Sequence, residues 1–266
     1  MKVVILAGGM GTRISEESVY KPKPLIEIGE RPILWHIMKI YSHYGYNDFV
    51  ILGGYKQEMI KKYFQDYFFA NCDLTFRYSD DACKCQSGYS VEICNENCEK
   101  WNVTIVDTGL DTMTGGRLKR IKQYIGNEPF LLTYGDGVSD VNIKELVEQH
   151  KRSDALVTLT AYQPEQNFGI LEFGEGKSVS SFKEKVKEDS YWINAGYMVV
   201  EPAAIDYIED DLTPWEQHPL RTIAADGKLE AYRHNGFWKC MDTLKHKTEL
   251  EEIWNSGKAP WKVWKK

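Results

Sequence analysis

The run Val3-Val4-Ile5-Leu6-Ala7 stops at Gly8-Gly9-Met10-Gly11, and Thr12 and Arg13 follow before any helical pattern begins. Consecutive β-type apolar residues predict a strand, and glycines at its end let backbone N–H groups approach an anion with no Cβ in the way. Ten positions after Arg13 comes Lys23, set between Pro22 and Pro24, whose rings restrict the backbone and help to aim the side chain. A guanidinium fork and an ammonium supply the positive charge that a polyphosphate requires. The stretch reads as a cradle for a nucleoside triphosphate, against the plainer alternative of a turn whose glycines serve only packing. Two other phosphate loops are excluded. The dinucleotide fingerprint lacks its third glycine, and no Gly-Lys-Ser/Thr follows the loop.

Downstream, strand-like and helix-like runs alternate, the pattern of an α/β sheet with mostly parallel order. Pro32 opens a helix that carries Ile33, Leu34, Ile37, Ile40 and Tyr41 on one face and runs to about Tyr44, with Gly45 at its C-cap. Asp48–Gly53, Trp101–Asp107 and Pro129–Tyr134 read as further strands, Gln57–Phe68 as a helix, and Thr114 as the N-cap of another. Beyond Ala155 the runs Ala155–Tyr162, Gly169–Phe173, Val179–Lys185 and Trp192–Glu201 look like strands, and the tail from Trp215 reads as mainly helical. No repeat, linker or domain boundary stands out, so 1–266 is expected to be a single domain, with residues 72–100 projecting from it.

The chain has 266 residues, 42% of them hydrophobic, which is enough for a sizeable core. Its 33 basic and 39 acidic residues leave a formal charge of −6, which argues against nucleic acid or an anionic membrane surface as partner. No run approaches a membrane span, and the short N-terminal apolar stretch does not read as a signal peptide, so a cytoplasmic location is expected. With a negative total, basic groups must be concentrated locally, as Arg13, Lys23 and Arg117 would do.

Asp136 lies just past the buried strand, between Gly135 and Gly137, where open α/β sheets bind ligands. It is a candidate for Mg²⁺, which takes one or two carboxylates alongside phosphate oxygens and water. Asp-Gly is also simply a turn former. Asp242 precedes the last long helix, and from its position alone a helix N-cap is the favoured reading. Arg117 sits near a helix N-terminus, where free N–H groups already favour anions.

Leu6-Ala7-Gly8-Gly9-Met10-Gly11-Thr12-Arg13 with Lys21-Pro22-Lys23-Pro24 resembles the signature of the sugar-1-phosphate nucleotidylyltransferases. Trp101 to Gly109, Thr114 to Arg120, Tyr134-Gly135-Asp136-Gly137, Gly236-Phe237-Trp238 and Met241-Asp242-Thr243 are similar to its glucose-1-phosphate cytidylyltransferase branch, and the likeness runs from Met1 to Trp264. The resemblance implies a Rossmann-like fold of the GT-A type, with a mixed, mostly parallel sheet flanked by helices. Its nucleotide-binding half would be 1–140 and its sugar-phosphate half 141–266. It implies cytidylyl transfer from CTP to glucose 1-phosphate by in-line displacement at the α-phosphorus, and a homo-oligomer, often a hexamer. Asp136 and Asp242 would hold Mg²⁺, and Arg13 and Lys23 would stabilise phosphate charge. Leu6, Ala7, Gly8, Gly9, Met10, Gly11, Thr12, Arg13, Lys23, Thr112, Arg117 and Gly135 match nucleotide-contacting positions. Glu184, Lys185 and Asn194 match the sugar-phosphate segment. There the chain departs from the usual pattern, with Val186 for a proline, Ala195 for a glycine and Asn167 for a basic residue. The same cradle serves transferases of other nucleotides and acceptors, and a catalytically silent sugar-nucleotide-binding subunit is the non-enzymatic alternative.

Five of six cysteines fall between Cys72 and Cys98. Cys83 and Cys85 with Cys94 and Cys98 form a candidate zinc set, although the C-x-C pair is tighter than the usual structural spacing. Incidental thiols on a hairpin are the alternative. Trp254, Trp261 and Trp264 are read as packing or subunit contacts rather than ligand-binding residues.

Overall fold

A computed structural model gives the architecture, and it describes residues 1–78, 90–96, 98–164, 170–174, 176–183 and 191–265. A seven-stranded sheet forms its centre. In chain order its strands are β1 (Val3–Ala7), β2 (Asp48–Gly53), β3 (Asn102–Asp107), β4 (Phe130–Tyr134), then β6 (Val157–Tyr162), β7 (Ile193–Val200) and β8 (Leu229–His234). Their spatial order is β8-β6-β7-β4-β1-β2-β3. β1 is parallel to β2 and to β4, and β2 to β3. β7 runs against both of its neighbours, β4 and β6, while β8 is parallel to β6. The sheet is therefore mixed and mostly parallel. β5 (Gly137–Ser139) leaves it just after β4 and pairs antiparallel with β9 (Trp238–Cys240) as a separate ladder.

Every residue of β1 is buried, because helices cover both faces of the sheet. Successive side chains point to opposite faces, so Val3, Ile5 and Ala7 enter one core while Val4 and Leu6 enter the other. The first core takes its helical side from α1 (Ile33–His43), α2 (Gln57–Ala70), α4 (Ile143–Lys151) and α6 (Leu244–Asn255). The second takes it from α3 (Thr114–Arg120) and α5 (His218–Ala225), with Trp215 fully buried beside them. α1 forms where Ile33, Leu34, Ile37, Ile40 and Tyr41 share one buried face, and Gly45 follows its C-cap with φ of 87°.

Several details differ from the sequence reading. Thr114 is the first residue of α3 and does not cap it, since its hydroxyl is turned towards residues 215 and 216 instead. The C-terminal stretch contains the expected helices, but Leu229–His234 and Trp238–Cys240 are strands, and the first of them forms an edge of the central sheet. Tertiary pairing decides this, because each run is too short for periodicity to separate strand from helix. The expected projection is a two-stranded hairpin, Cys72–Arg77 with Ser90–Glu96, outside the central sheet. Among the described residues no helix is long and apolar enough to cross a membrane.

The tryptophans near the C-terminus pack on α1 around His36, which is fully buried. Trp261 Nε1–H donates to His36 Nδ1 at 3.4 Å, so Nε2–H is the nitrogen that donates to the Ile28 carbonyl at 2.8 Å. Burial holds the imidazole neutral, with its pKa lowered to about 4. A folded-state pKa below the unfolded 6.5 means that the unfolded chain binds the extra proton. Stability from this site is then complete above pH 6.5 and is lost as pH falls towards 4. Urea titrations at pH 7, 6 and 5 are expected to show His36→Gln losing less stability on acidification than the parent, by up to about 2 kcal/mol between pH 7 and 5. Parallel pH profiles for the two proteins would contradict this.

Candidate active site

The glycine loop after β1, the segment at Lys23, the start of α3 and the end of β4 enclose a cleft of about 350 Å³. Leu6, Ala7, Gly8, Gly9, Gly11, Thr12, Arg13, Lys23, Thr112, Arg117, Gly135 and Asp136 line it, together with Pro24, Met113, Thr114 and Tyr134. Of the expected nucleotide-side residues only Met10 is absent from the lining, and it is exposed. Gly11 takes a left-handed conformation with φ of 65°, which an L side chain rarely adopts, and this lets Thr12–Ile14 form a tight helical turn that carries Arg13.

At one end of the cleft, Lys23 Nζ donates to Asp136 Oδ2 at 2.7 Å and to Asp242 Oδ1 at 2.6 Å. Two oxygens bonded to one nitrogen can lie no farther apart than the sum of those distances, so the carboxylates share one site. Arg13 Nη1 donates to the second oxygen of Asp242 at 2.7 Å. Local sheet geometry brings the carboxylates together. Gly137 faces Cys240 in the β5–β9 ladder, and Met241 N–H donates to the Asp136 carbonyl at 2.8 Å, which sets Asp242 beside Asp136. The N-cap of α6 is Thr243, whose hydroxyl accepts from His246 N–H, so Asp242 is not needed as a cap. Burial opposes the charge on Lys23, but the two carboxylates outweigh it and raise its pKa. Burial likewise opposes ionisation of Asp242, and Lys23 with Arg13 outweighs it and lowers that pKa.

Arg117, expected near a helix N-terminus where anions are favoured, lines the cleft but makes its hydrogen bonds within the protein. It is buried, and its guanidinium donates to five protein oxygens: Thr108 Oγ1 and Gly109 O at 2.7 Å, Gly53 O and Leu110 O at 3.1 Å, and Gly8 O at 3.2 Å. It ties the glycine loop, the end of β2 and the Thr108–Leu110 segment together. Gly8 is needed for this contact, since a Cβ there would lie 2.3 Å from Arg117 Nη1.

Glu216 carries no signal in the sequence reading, and Tyr134 enters it only as the first residue of Tyr134-Gly135-Asp136-Gly137. Tyr134 O–H donates to Glu216 Oε1 at 2.5 Å, and Thr114 Oγ1–H donates to Glu216 Oε2 at 2.7 Å. Burial and then the Glu216 carboxylate push the Tyr134 phenol pKa up, so it stays protonated. Only the Trp-Glu-Gln run after Pro214 marks the position in the sequence, and that run carries no recognisable motif.

Of the expected sugar-phosphate residues, Asn194 lies on β7, with Oδ1 accepting from Gly196 N–H at 2.8 Å. Glu184 and Lys185 lie outside the described residues, as do Cys83 and Cys85 of the candidate zinc set. Cys94 is exposed beside Thr75, and the sulfur near Cys98 is that of Cys72, at 3.8 Å. Among the described residues no three metal-ligating side chains gather at one point.

A family model described as nucleotidyl transferase matches residues 2–239. The glucose-1-phosphate cytidylyltransferases of Salmonella typhimurium and Salmonella typhi are each 51% identical over 265 residues, covering 99% of this chain and all of theirs. The solved structure of HddC from Yersinia pseudotuberculosis superposes with a TM-score of 0.68 at 20% identity, over 95% of this chain and 99% of that one, a likeness of fold.

If Arg117 clamps the loops, Arg117→Lys, whose single ammonium cannot span the five acceptors, is expected to lower stability by about 2–4 kcal/mol. Amide exchange at Gly8–Thr12 and Thr108–Thr112 should accelerate ahead of the rest of the sheet. Unchanged protection in those two loops would remove the clamp role.

Proposed function

The chain belongs to the nucleotidyl transferase family, and we infer that it transfers the cytidylyl group of CTP to glucose 1-phosphate, giving CDP-glucose and pyrophosphate. The observation that carries this reading is identity of 51% over the full length of relatives named for that activity. The cleft supports it, since it joins a glycine loop at the carboxyl end of a central strand to a lysine gripped by two carboxylates. It is an enzyme by this reading rather than a silent subunit, because Lys23, Asp136 and Asp242 are all present at one point.

A phosphate oxygen of the sugar attacks the α-phosphorus in line, and pyrophosphate leaves from the opposite side. The attacking group is already an anion, so no general base is required. Positioning and charge neutralisation are what the protein must provide. The open backbone of Gly8, Gly9 and Gly11 admits the triphosphate. Arg13 and Lys23 stabilise the charge that develops on the phosphates. Asp136 and Asp242 fit a divalent ion of the Mg²⁺ type, which needs only one or two carboxylates besides phosphate oxygens and water. When bound by them it neutralises phosphate charge that the side chains alone leave uncompensated. Residues 1–140 serve as the nucleotide half and 141–266 as the sugar-phosphate half. The reaction is placed in the cytoplasm, where nucleoside triphosphates are made. A homo-oligomer is part of the same reading, supported by exposed Phe76, Val91 and Ile93 on the projecting hairpin.

The direct test is pyrophosphate release over a panel of nucleoside triphosphates and sugar 1-phosphates. CTP with glucose 1-phosphate is expected to exceed every other pair by at least about tenfold in kcat/KM. A faster pair would replace the substrate assignment, and no turnover with any pair would favour the silent subunit. A chelator should abolish release and added Mg²⁺ restore it. Asp136→Asn should retain the fold and lose on the order of a hundredfold or more in kcat. Near-parental kcat in that variant at saturating Mg²⁺ would remove Asp136 from the mechanism.

A further inference from the structure

We propose that Cys72 and Cys98 are a redox-active thiol pair, which closes to a disulfide across the base of the projecting hairpin by exchange with a small-molecule disulfide. The inference stands on the hairpin alone and is independent of the activity assigned to the cleft.

The two sulfurs lie 3.8 Å apart, although the residues are 26 positions apart in the chain. Cys72 is the first residue of the hairpin, and Cys98 comes just after Glu96, the last residue of its second strand. A disulfide needs its sulfurs at about 2.05 Å, so side-chain rotation has to close a gap of under about 2 Å. Both flanks of the pair are held by the main body. Asn71, beside Cys72, donates to the Tyr67 carbonyl of α2 at 2.7 Å and accepts from Arg31 at 3.0 Å. Glu99, beside Cys98, is paired with Lys39 of α1 at 2.5 Å, and Trp101 Nε1–H donates to Ser42 Oγ of the same helix at 2.6 Å. The thiols are therefore presented to each other by α1 and α2 and do not depend on the hairpin ladder alone. The other described cysteines, Cys94 and Cys240, make their contacts elsewhere, with Thr75 and with Asp242.

The two thiols are not equivalent. Cys98 Sγ–H donates to the Phe68 carbonyl at 3.4 Å, so the hydrogen between the sulfurs belongs to Cys72. Cys98 also lines a surface cleft of about 300 Å³, beside Lys39, His43 and Lys100, and Glu99 in the same lining is already paired with Lys39. A small disulfide that carries carboxylates suits that opening by charge. As its thiolate, Cys98 attacks one sulfur of the small disulfide, forming a mixed disulfide and expelling one small thiolate. Cys72, deprotonated in turn, attacks the Cys98 sulfur and expels the second. Two electrons pass from the pair to the small disulfide, and the two protons go to the released thiols. The new bond closes the hairpin into a loop at its base, which restricts opening of its strands. Exposed Phe76, Val91 and Ile93 would then sit on a fixed mount.

The test is to equilibrate the full chain with oxidised glutathione in excess over reduced, block remaining thiols, and map the cysteines by mass spectrometry without reduction. Trypsin is combined with a protease that cuts after glutamate, because Glu96 then separates Cys94 from Cys98. A Cys72–Cys98 link is expected as the main species at these two positions, and dithiothreitol should reverse it. In Cys72→Ala the exchange stops halfway, so the glutathione adduct at Cys98 should exceed that of the parent by about tenfold or more. Amide exchange in Cys72–Arg77 and Ser90–Glu96 should slow by about tenfold or more on oxidation of the parent and stay unchanged in Cys98→Ala. Both thiols remaining reduced would overturn the proposal, and so would a lasting glutathione adduct at Cys98 in the parent or a link from Cys98 to any other cysteine. If the bond forms but exchange in the hairpin strands does not slow, its role as a fastening of the hairpin is overturned.

Discussion

One ammonium group between two carboxylates holds this cleft together. Two aspartates whose oxygens both reach one nitrogen repel each other, and in a half-buried setting that repulsion is poorly screened. Lys23 makes the arrangement tolerable by bonding to both, and Arg13 takes the oxygen of Asp242 that Lys23 leaves. Removing one partner from such a cluster costs far more than the cluster contributes in net stability, because it leaves a charge without compensation. The cluster is therefore not to be counted as a net stabilising feature of the fold.

The ladder that presents the aspartates is secured separately. Asp140 accepts from Phe237 N–H at 2.6 Å and pairs with His234 at 3.0 Å, while Ser139 donates to the Phe237 carbonyl at 2.8 Å. These bonds pin the turn between β8 and β9, so the strand leading to Asp242 has little freedom to drift from Asp136. Preorganisation of this kind matters because the catalytic contribution of a charge depends on its being in place before the reaction.

At the other end of the cleft the logic reverses. Arg117 has no carboxylate among its hydrogen-bond partners, and its donors are satisfied by four backbone carbonyls and one hydroxyl. Burial lowers its pKa, yet a guanidinium remains charged, so a fixed positive charge sits behind the glycine loop. A chain with a formal charge of −6 thus keeps a fixed positive charge beside its glycine loop. The same side chain donates to both Gly8 O and Gly53 O, so it helps to hold the glycine loop against the end of β2.

Much of this was readable from order and spacing. The Val3–Ala7 strand, the glycine stop, Lys23 between prolines and Asp136 after the fourth central strand follow local rules, because strand burial and glycine chemistry act over a few residues. Strand alternation was sufficient for a mostly parallel α/β sheet. Spacing could not show that Asp242 belongs with Lys23 rather than with α6, since capping and ligand binding favour the same residue type at the same position. It could not show that Arg117 faces inwards among carbonyls, or that an exposed Glu216 accepts from both Thr114 and Tyr134. It also missed the strand at Leu229–His234, which is held by pairing with β6 rather than by its own pattern. The sequence by itself determined which chemical groups are available and that a phosphate-binding turn follows the first strand. Only the tertiary structure decided which of them meet, because an ion pair or hydrogen bond requires approach within about 3 Å and chain separation places no constraint on that distance.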